Sequence, residues 1–153
     1  MVFLDSNIFI IDRFFPRDNN YLMNKKFLER IEKADIKAFL PFYTLLEICG
    51  VTSFNLSTEE QKRWLYTFSK VYSVEILDPF EGQTENQTVN DYFLSLTPYI
   101  LKKMTVGDAI FLKEAEMYNA RAIITWNKKH FVDRTDIPVY NPVEYISFKD
   151  KTI

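Results

Sequence analysis

Residues 105–125, TVGDAIFLKEAEMYNARAIIT, change period part-way along: helical spacing from Val106 to Tyr118 gives way to a short apolar run from Ala122 to Thr125 that reads as a strand. Thr105, three residues before Asp108, is the start signal of that helix. The alternation runs outward through the rest of the chain. Further strands are expected from Val2 to Leu4, Ile36 to Leu40, Val74 to Leu77 and Ile137 to Tyr140. Helices are expected roughly from Asn20 to Lys33, Pro41 to Thr52, Thr58 to Val71 and Glu85 to Lys102, with Pro41 as a first-turn proline and Ser57 three before Glu60 as a capping box. Strands separated by helix-length segments imply right-handed βαβ crossovers and an α/β fold whose mostly parallel sheet is covered on both faces. Asp78 to Asn86, rich in turn formers, is expected to be a long loop too short to divide domains.

At 153 residues the chain suits one domain with one core, burying roughly two-thirds of its unfolded surface without disulfides or a structural metal. Hydrophobic residues at 47%, with only 3 Gly and 6 Pro, exclude disordered, collagen-like and low-complexity chains. The 14 Phe, 9 Tyr and 2 Trp exceed the need of a small core, so some of Phe14, Phe15, Trp64, Tyr66 and Phe68 are expected at a subunit or partner interface. The single cysteine, Cys49, excludes an internal disulfide and a cysteine-based zinc site, and fits a reducing compartment. Asp5 and Asp12 interrupt the apolar opening MVFLDSNIFIID, and no run approaches the ~20 residues of a membrane span, so a soluble, cytoplasmic protein with no membrane partner is expected. A net charge of −2 gives the chain no overall nucleic-acid-binding signature. A cation held by clustered carboxylates would supply local positive charge instead.

In a parallel α/β sheet, ligands bind beyond the carboxyl ends of the strands. Asp5 and Asn7 directly follow the first strand, Glu47 lies in the helix after the second, and Trp126 and Asn127 follow the fourth. Each acid also has a plain structural reading. Asp5 or Ser6 serves as a helix N-cap, Glu47 completes a capping box with Thr44 or is a solvated helix position, and Asp108 completes one with Thr105. In combination, Asp5, Glu47 and Asp108 are placed to converge at one sheet edge, where three carboxylates would repel unless a cation neutralised them. All-oxygen ligation of that kind suits Mg²⁺ or Mn²⁺.

The phrases FLDSNIFI, LLEICG and VGDAIFLKEAEMYNARAIITWNKKHF, in that order and spacing from Met1 to about Tyr145, resemble PIN-domain nucleases, in particular the toxin ribonucleases of VapC-type toxin–antitoxin pairs. The resemblance implies a three-layer α/β/α PIN-like domain over residues 1–148, followed by a short tail at 149–153. It also implies that Asp5, Glu47 and Asp108 are the metal-binding acids of an endoribonuclease that hydrolyses RNA phosphodiester bonds with a metal-activated water, forms a homodimer and is inhibited by a small antitoxin.

One stretch departs from that pattern. Where such proteins usually carry a fourth acid, this chain reads Thr125, Trp126, Asn127, Lys128, Lys129, His130, Phe131. Asn127 lies just past a strand end, so it is expected at the metal site as a neutral ligand or hydrogen-bond partner, counted with the catalytic acids. His130, the only histidine, is expected at a surface or helix end, where its loss changes little. Asn7, Thr125, Trp126, Lys128 and Lys129 are candidates for substrate contact: the lysines, with Lys102 and Lys103, for phosphates, and Trp126 for stacking. Solvated lysines and a core indole are the competing reading. Two other functions remain open at this point. One is a phosphatase with Asp5 as nucleophile, and the other is a catalytically weak PIN domain that binds RNA or protein.

Overall fold

Residues 1–34, 36–79 and 88–150 are described by the structure, a computed structural model. Five short strands form one sheet: β1 (Val2–Leu4), β2 (Ala38–Pro41), β3 (Val74–Leu77), β4 (Ala122–Ile124) and β5 (Val139–Tyr140). They run in the order β3-β2-β1-β4-β5, and every neighbouring pair is parallel. The chain winds away from β1 in one direction through β2 and β3, then returns to place β4 on the other side of β1. The crevice where the order reverses therefore lies between β1 and β4, whose register pairs Leu4 with Ile124.

Alternation along the strands sends side chains to both faces, and both are buried. Val2, Leu4, Ala38, Leu40, Ala122 and Ile124 join one hydrophobic cluster with Ile8, Phe9, Phe27, Ile31, Leu45, Ile48 and Phe68. Those partners come from α1 (Ser6–Phe14), α2 (Tyr21–Lys33), α3 (Phe42–Thr52) and α4 (Thr58–Tyr72). Phe3, Phe39 and Ile123 point the other way and join Phe111, Leu112 and Ala115 of α7 (Val106–Met117), together with Phe131. A sheet buried on both faces needs continuous apolar strands, and VFL, AFLP and AII supply them.

Several expectations are corrected in detail. Pro41 closes β2 and caps α3 instead of starting its first turn. Of the helix expected from Glu85 to Lys102, residues 85–87 lie outside the described residues and the rest is two short helices, α5 (Val89–Leu94) and α6 (Thr97–Leu101), because Pro98 cannot donate an interior helical hydrogen bond and so begins a new helix. Thr88 and Asp91 form a capping box that starts α5. α1 and α8 (Pro142–Asp150) were not expected. The loop expected from Asp78 to Asn86 falls mostly outside the described residues. Phe68 is fully buried in the core, with Trp64 and Phe14 stacked in succession against it and themselves half-buried. Phe15 and Tyr66 remain exposed. Among the described residues, no helix is long and apolar enough to cross a membrane.

Candidate functional site

Asp5 occupies the N-cap position of α1, yet its side chain makes no capping bond. Its carboxylate turns to the crevice. Oδ2 accepts hydrogen bonds from Thr125 Oγ1 and Asn7 Nδ2, each at 2.6 Å, and Oδ1 accepts one from Ser6 Oγ at 3.2 Å. Asn7 Nδ2 also donates to Thr125 Oγ1 at 2.9 Å, while its Oδ1 accepts from the Trp126 main-chain N–H at 3.2 Å. The ends of β1 and β4 are thus laced together by Asp5, Asn7 and Thr125, three polar residues just beyond the sheet. The Asp5 main-chain N–H completes the seam by donating to the Ile124 carbonyl.

Beneath this seam lies a residue that pattern reading missed. Asn24 of α2 is fully buried, donates to the Ile8 carbonyl at 2.8 Å and accepts from Trp126 Nε1 at 2.8 Å. One amide therefore fixes α1 and the segment after β4 together. Its signal in YLMNKKF is no more than a polar residue on a helix whose neighbouring turns carry apolar ones. The same bond holds the half-buried Trp126 indole against the main core.

Glu47 does not cap a helix with Thr44, since both lie inside α3, and Thr44 is buried while Glu47 opens to the site. It faces α7 at Gly107, where a Cβ would stand 3.2 Å from Glu47 Oε1 and 3.5 Å from Tyr43 Cε1. The absent side chain at Gly107 gives Glu47 its place beside Asp108. The Thr105 side chain caps α7 and holds Asp108 at the same time. Its main-chain N–H donates to Thr105 Oγ1 at 3.2 Å, closing the helix cap. Its carboxylate Oδ2 accepts from the same hydroxyl at 2.8 Å.

Electrostatics joins the three acids. Burial pushes the Asp5 carboxyl above its ordinary range; the Thr125 and Ser6 hydrogen bonds oppose this, and the charge of Asp108 adds to it. Glu47 is raised by desolvation and then by the charges of Asp5 and Asp108. Among the described residues, no lysine or arginine forms an ion pair with any of the three. Nor are three His, Cys, Asp or Glu side chains among those residues already gathered closely enough to grip an ion directly. The donors nevertheless fit a hard divalent cation, because Mg²⁺ keeps several waters and uses only one or two carboxylates directly. Asp5, Glu47 and Asp108 would hold such an ion.

Asn127 is exposed and reaches the seam through its main-chain N–H, which donates to Thr125 Oγ1 at 2.9 Å. The side chain brought to an acid is that of His130, whose Nδ1 stands 3.3 Å from Asp108 Oδ2. Lys128 is committed to the start of α8, with its Nζ 2.8 Å from Glu144 Oε2, while Lys129 is exposed. Lys102 Nζ donates to the Arg134 carbonyl at 2.8 Å.

Fold and site together define an α/β/α domain whose sheet carries Asp5 at its switch point, with Glu47 and Asp108 within electrostatic reach of it. Comparison with protein-family models gives no match, and neither does comparison with curated protein sequences. Solved structures do match. FitAB bound to an IR36 DNA fragment is similar at a TM-score of 0.60 and 16% identity, covering 93% of this chain and 95% of that one. FitAcB from Neisseria gonorrhoeae is similar at a TM-score of 0.61 and 16% identity, covering 94% of this chain and 99% of that one. The fold is the PIN-type α/β fold that the sequence resemblance implies.

Proposed function

We propose that the chain is a divalent-metal-dependent endoribonuclease of the PIN type, acting in the cytoplasm as the toxin of a toxin–antitoxin pair. The observation that carries this reading is the convergence of Asp5, Glu47 and Asp108, each from a different element, on one crevice where no lysine or arginine among the described residues neutralises them. A bound Mg²⁺ or Mn²⁺ supplies Lewis acidity toward a phosphodiester and a water made more acidic. The chain's own part is positional. Thr125, Asn7 and Ser6 hold Asp5 in one orientation, Gly107 leaves Glu47 room, and Thr105 fixes Asp108. A carboxylate in such a setting is also placed to accept a proton from water. Resemblance to VapC-type toxins, with the fold shared with FitAB and FitAcB, supports a small antitoxin partner; the homodimer rests on the sequence resemblance alone.

A phosphatase with Asp5 as nucleophile fits less well, because Asn7 stands where such enzymes use a second aspartate, and among the described residues no lysine pairs with Asp5. The test is cleavage of total RNA with Mg²⁺ or Mn²⁺, by the wild type and by Asp5→Asn. Cleavage that EDTA abolishes and Asp5→Asn loses supports the nuclease. Undiminished cleavage in EDTA refutes the metal mechanism, and RNA binding without cleavage under any metal favours the catalytically weak binding domain. Light scattering that gives a monomer mass at micromolar concentration would refute the dimer.

A further inference from the structure

We propose that His130 is a positioning residue of the metal site, orienting the Asp108 carboxylate by a hydrogen bond from Nδ1 in the region where a fourth acid would otherwise stand. The inference rests on the metalloenzyme reading of Asp5, Glu47 and Asp108. The ring nitrogen sits astride the carboxylate, 3.3 Å from Oδ2 and 3.4 Å from Oδ1. Thr105 Oγ1 holds the same group from the helix side at 2.8 Å. With its proton on Nδ1, the ring and Thr105 Oγ1 bracket Asp108 from two sides, which leaves the carboxylate few orientations.

The short 3-10 turn Lys128–His130 that carries the ring is itself fixed by several bonds. Arg134 Nη1 donates to the carbonyls of Lys129 and His130 at 2.8 and 2.6 Å. Arg134 Nε donates to the Lys102 carbonyl at 3.0 Å, and Lys102 Nζ returns a bond to the Arg134 carbonyl. One guanidinium therefore ties the His130 turn to the segment leading into Thr105 and Asp108. The next residue, Phe131, is fully buried and packs on Phe111 of α7, the helix whose first turn carries Asp108. Asn127, by contrast, is exposed.

The chemistry explains why a donor suits this place. Asp5, Glu47 and Asp108 already repel, so a fourth carboxylate would add to the repulsion whenever no cation is bound. An N–H donor orients a ligand without adding negative charge, and outer-sphere partners of this kind change metal affinity by about 10–100-fold.

The experiment is calorimetric titration of the full chain with Mn²⁺ alone, on variants shown by circular dichroism to be folded. His130→Ala should weaken Mn²⁺ binding at least ~10-fold, and His130→Phe, which fills the ring volume without the donor, should match it. His130→Asn, whose amide N–H falls near the Nδ1 position, should recover most of the loss. Adding His130→Ala to Asp108→Asn should cost nothing more, because the route through Asp108 is already broken. Wild-type affinity in His130→Ala or His130→Phe overturns the proposal and leaves the metal reading standing. Equal losses in His130→Asn and His130→Ala, or a nitrogen coupling to bound Mn²⁺ in pulsed electron paramagnetic resonance, would make the ring a direct ligand and overturn the positioning role. Absence of any Mn²⁺ binding by the wild type overturns the metal reading and this inference with it.

Discussion

Glu114 offers a sharp test of how burial shapes this molecule, because it lies away from the proposed chemistry and inside the core face of α7. Its side chain is fully buried; Oε1 accepts from the Tyr92 hydroxyl of α5 at 2.9 Å, and Oε2 has no hydrogen-bond partner among the described residues. Desolvation pushes the carboxyl from 4.5 to about 7, against the Tyr92 hydrogen bond and the charge of Lys113, with Asp78 adding to the rise. A carboxyl raised in the folded state contributes stability that is intact below the unfolded value of 4.5 and lost as pH climbs through about 7. The full difference is about 3 kcal/mol, of which about 2–3 kcal/mol falls between pH 5 and 8. Glu114→Gln keeps an oxygen for Tyr92 and removes the titration, so its stability should be nearly flat where the wild type declines. Over a chain of this length the divergence between the two amounts to about 5–10 °C in Tm across that interval. Thermal melts of both proteins at four pH values between 5 and 8 provide the comparison, read from the slopes and not from absolute stabilities. Parallel curves would refute the reasoning, since they would mean that Glu114 titrates as an exposed acid does.

Asp5→Asn should raise stability at neutral pH in the absence of divalent cations, because it removes a buried charge whose carboxyl is held above its ordinary range; the gain should vanish in acid, and denaturant titration at two pH values checks it. Gly107→Ala should leave stability within about 1 kcal/mol, since better helix propensity offsets a tight contact, yet weaken Mn²⁺ binding several-fold by displacing Glu47; unchanged affinity would show that Glu47 has slack. Asn24→Ala should cost about 2–4 kcal/mol by removing two buried hydrogen bonds and leaving the Trp126 indole N–H unpaired, with a shift in tryptophan fluorescence as the local signature.

Much of the architecture can be read from local pattern because a parallel sheet buried on both faces demands apolar strands, and VFL, VEIL and AII stand out between polar helices. The approximate bounds of α2, α3, α4 and α7 follow likewise from period and from start signals such as Ser57 with Glu60. The missed helix α1 shows the limit: Ser6–Phe14 follows its strand with one intervening residue, so the apolar run of β1 continues into it without a break in composition. At the site, sequence order put Asp5 and Glu47 just after β1 and β2, while Asp108, in the first turn of a helix, needed the fold to bring it to that edge. Only the tertiary structure decided the rest. Strand order set β4 beside β1, which brought Thr125 across 120 positions of chain to within 2.6 Å of Asp5. Helix packing set α3 against α7, which gave Gly107 its meaning. The fold of the turn after β4 turned His130 toward an acid and left Asn127 exposed, because backbone direction at a strand end depends on what the turn is tied to, here Arg134 and Phe131, and no spacing rule within the chain encodes those partners.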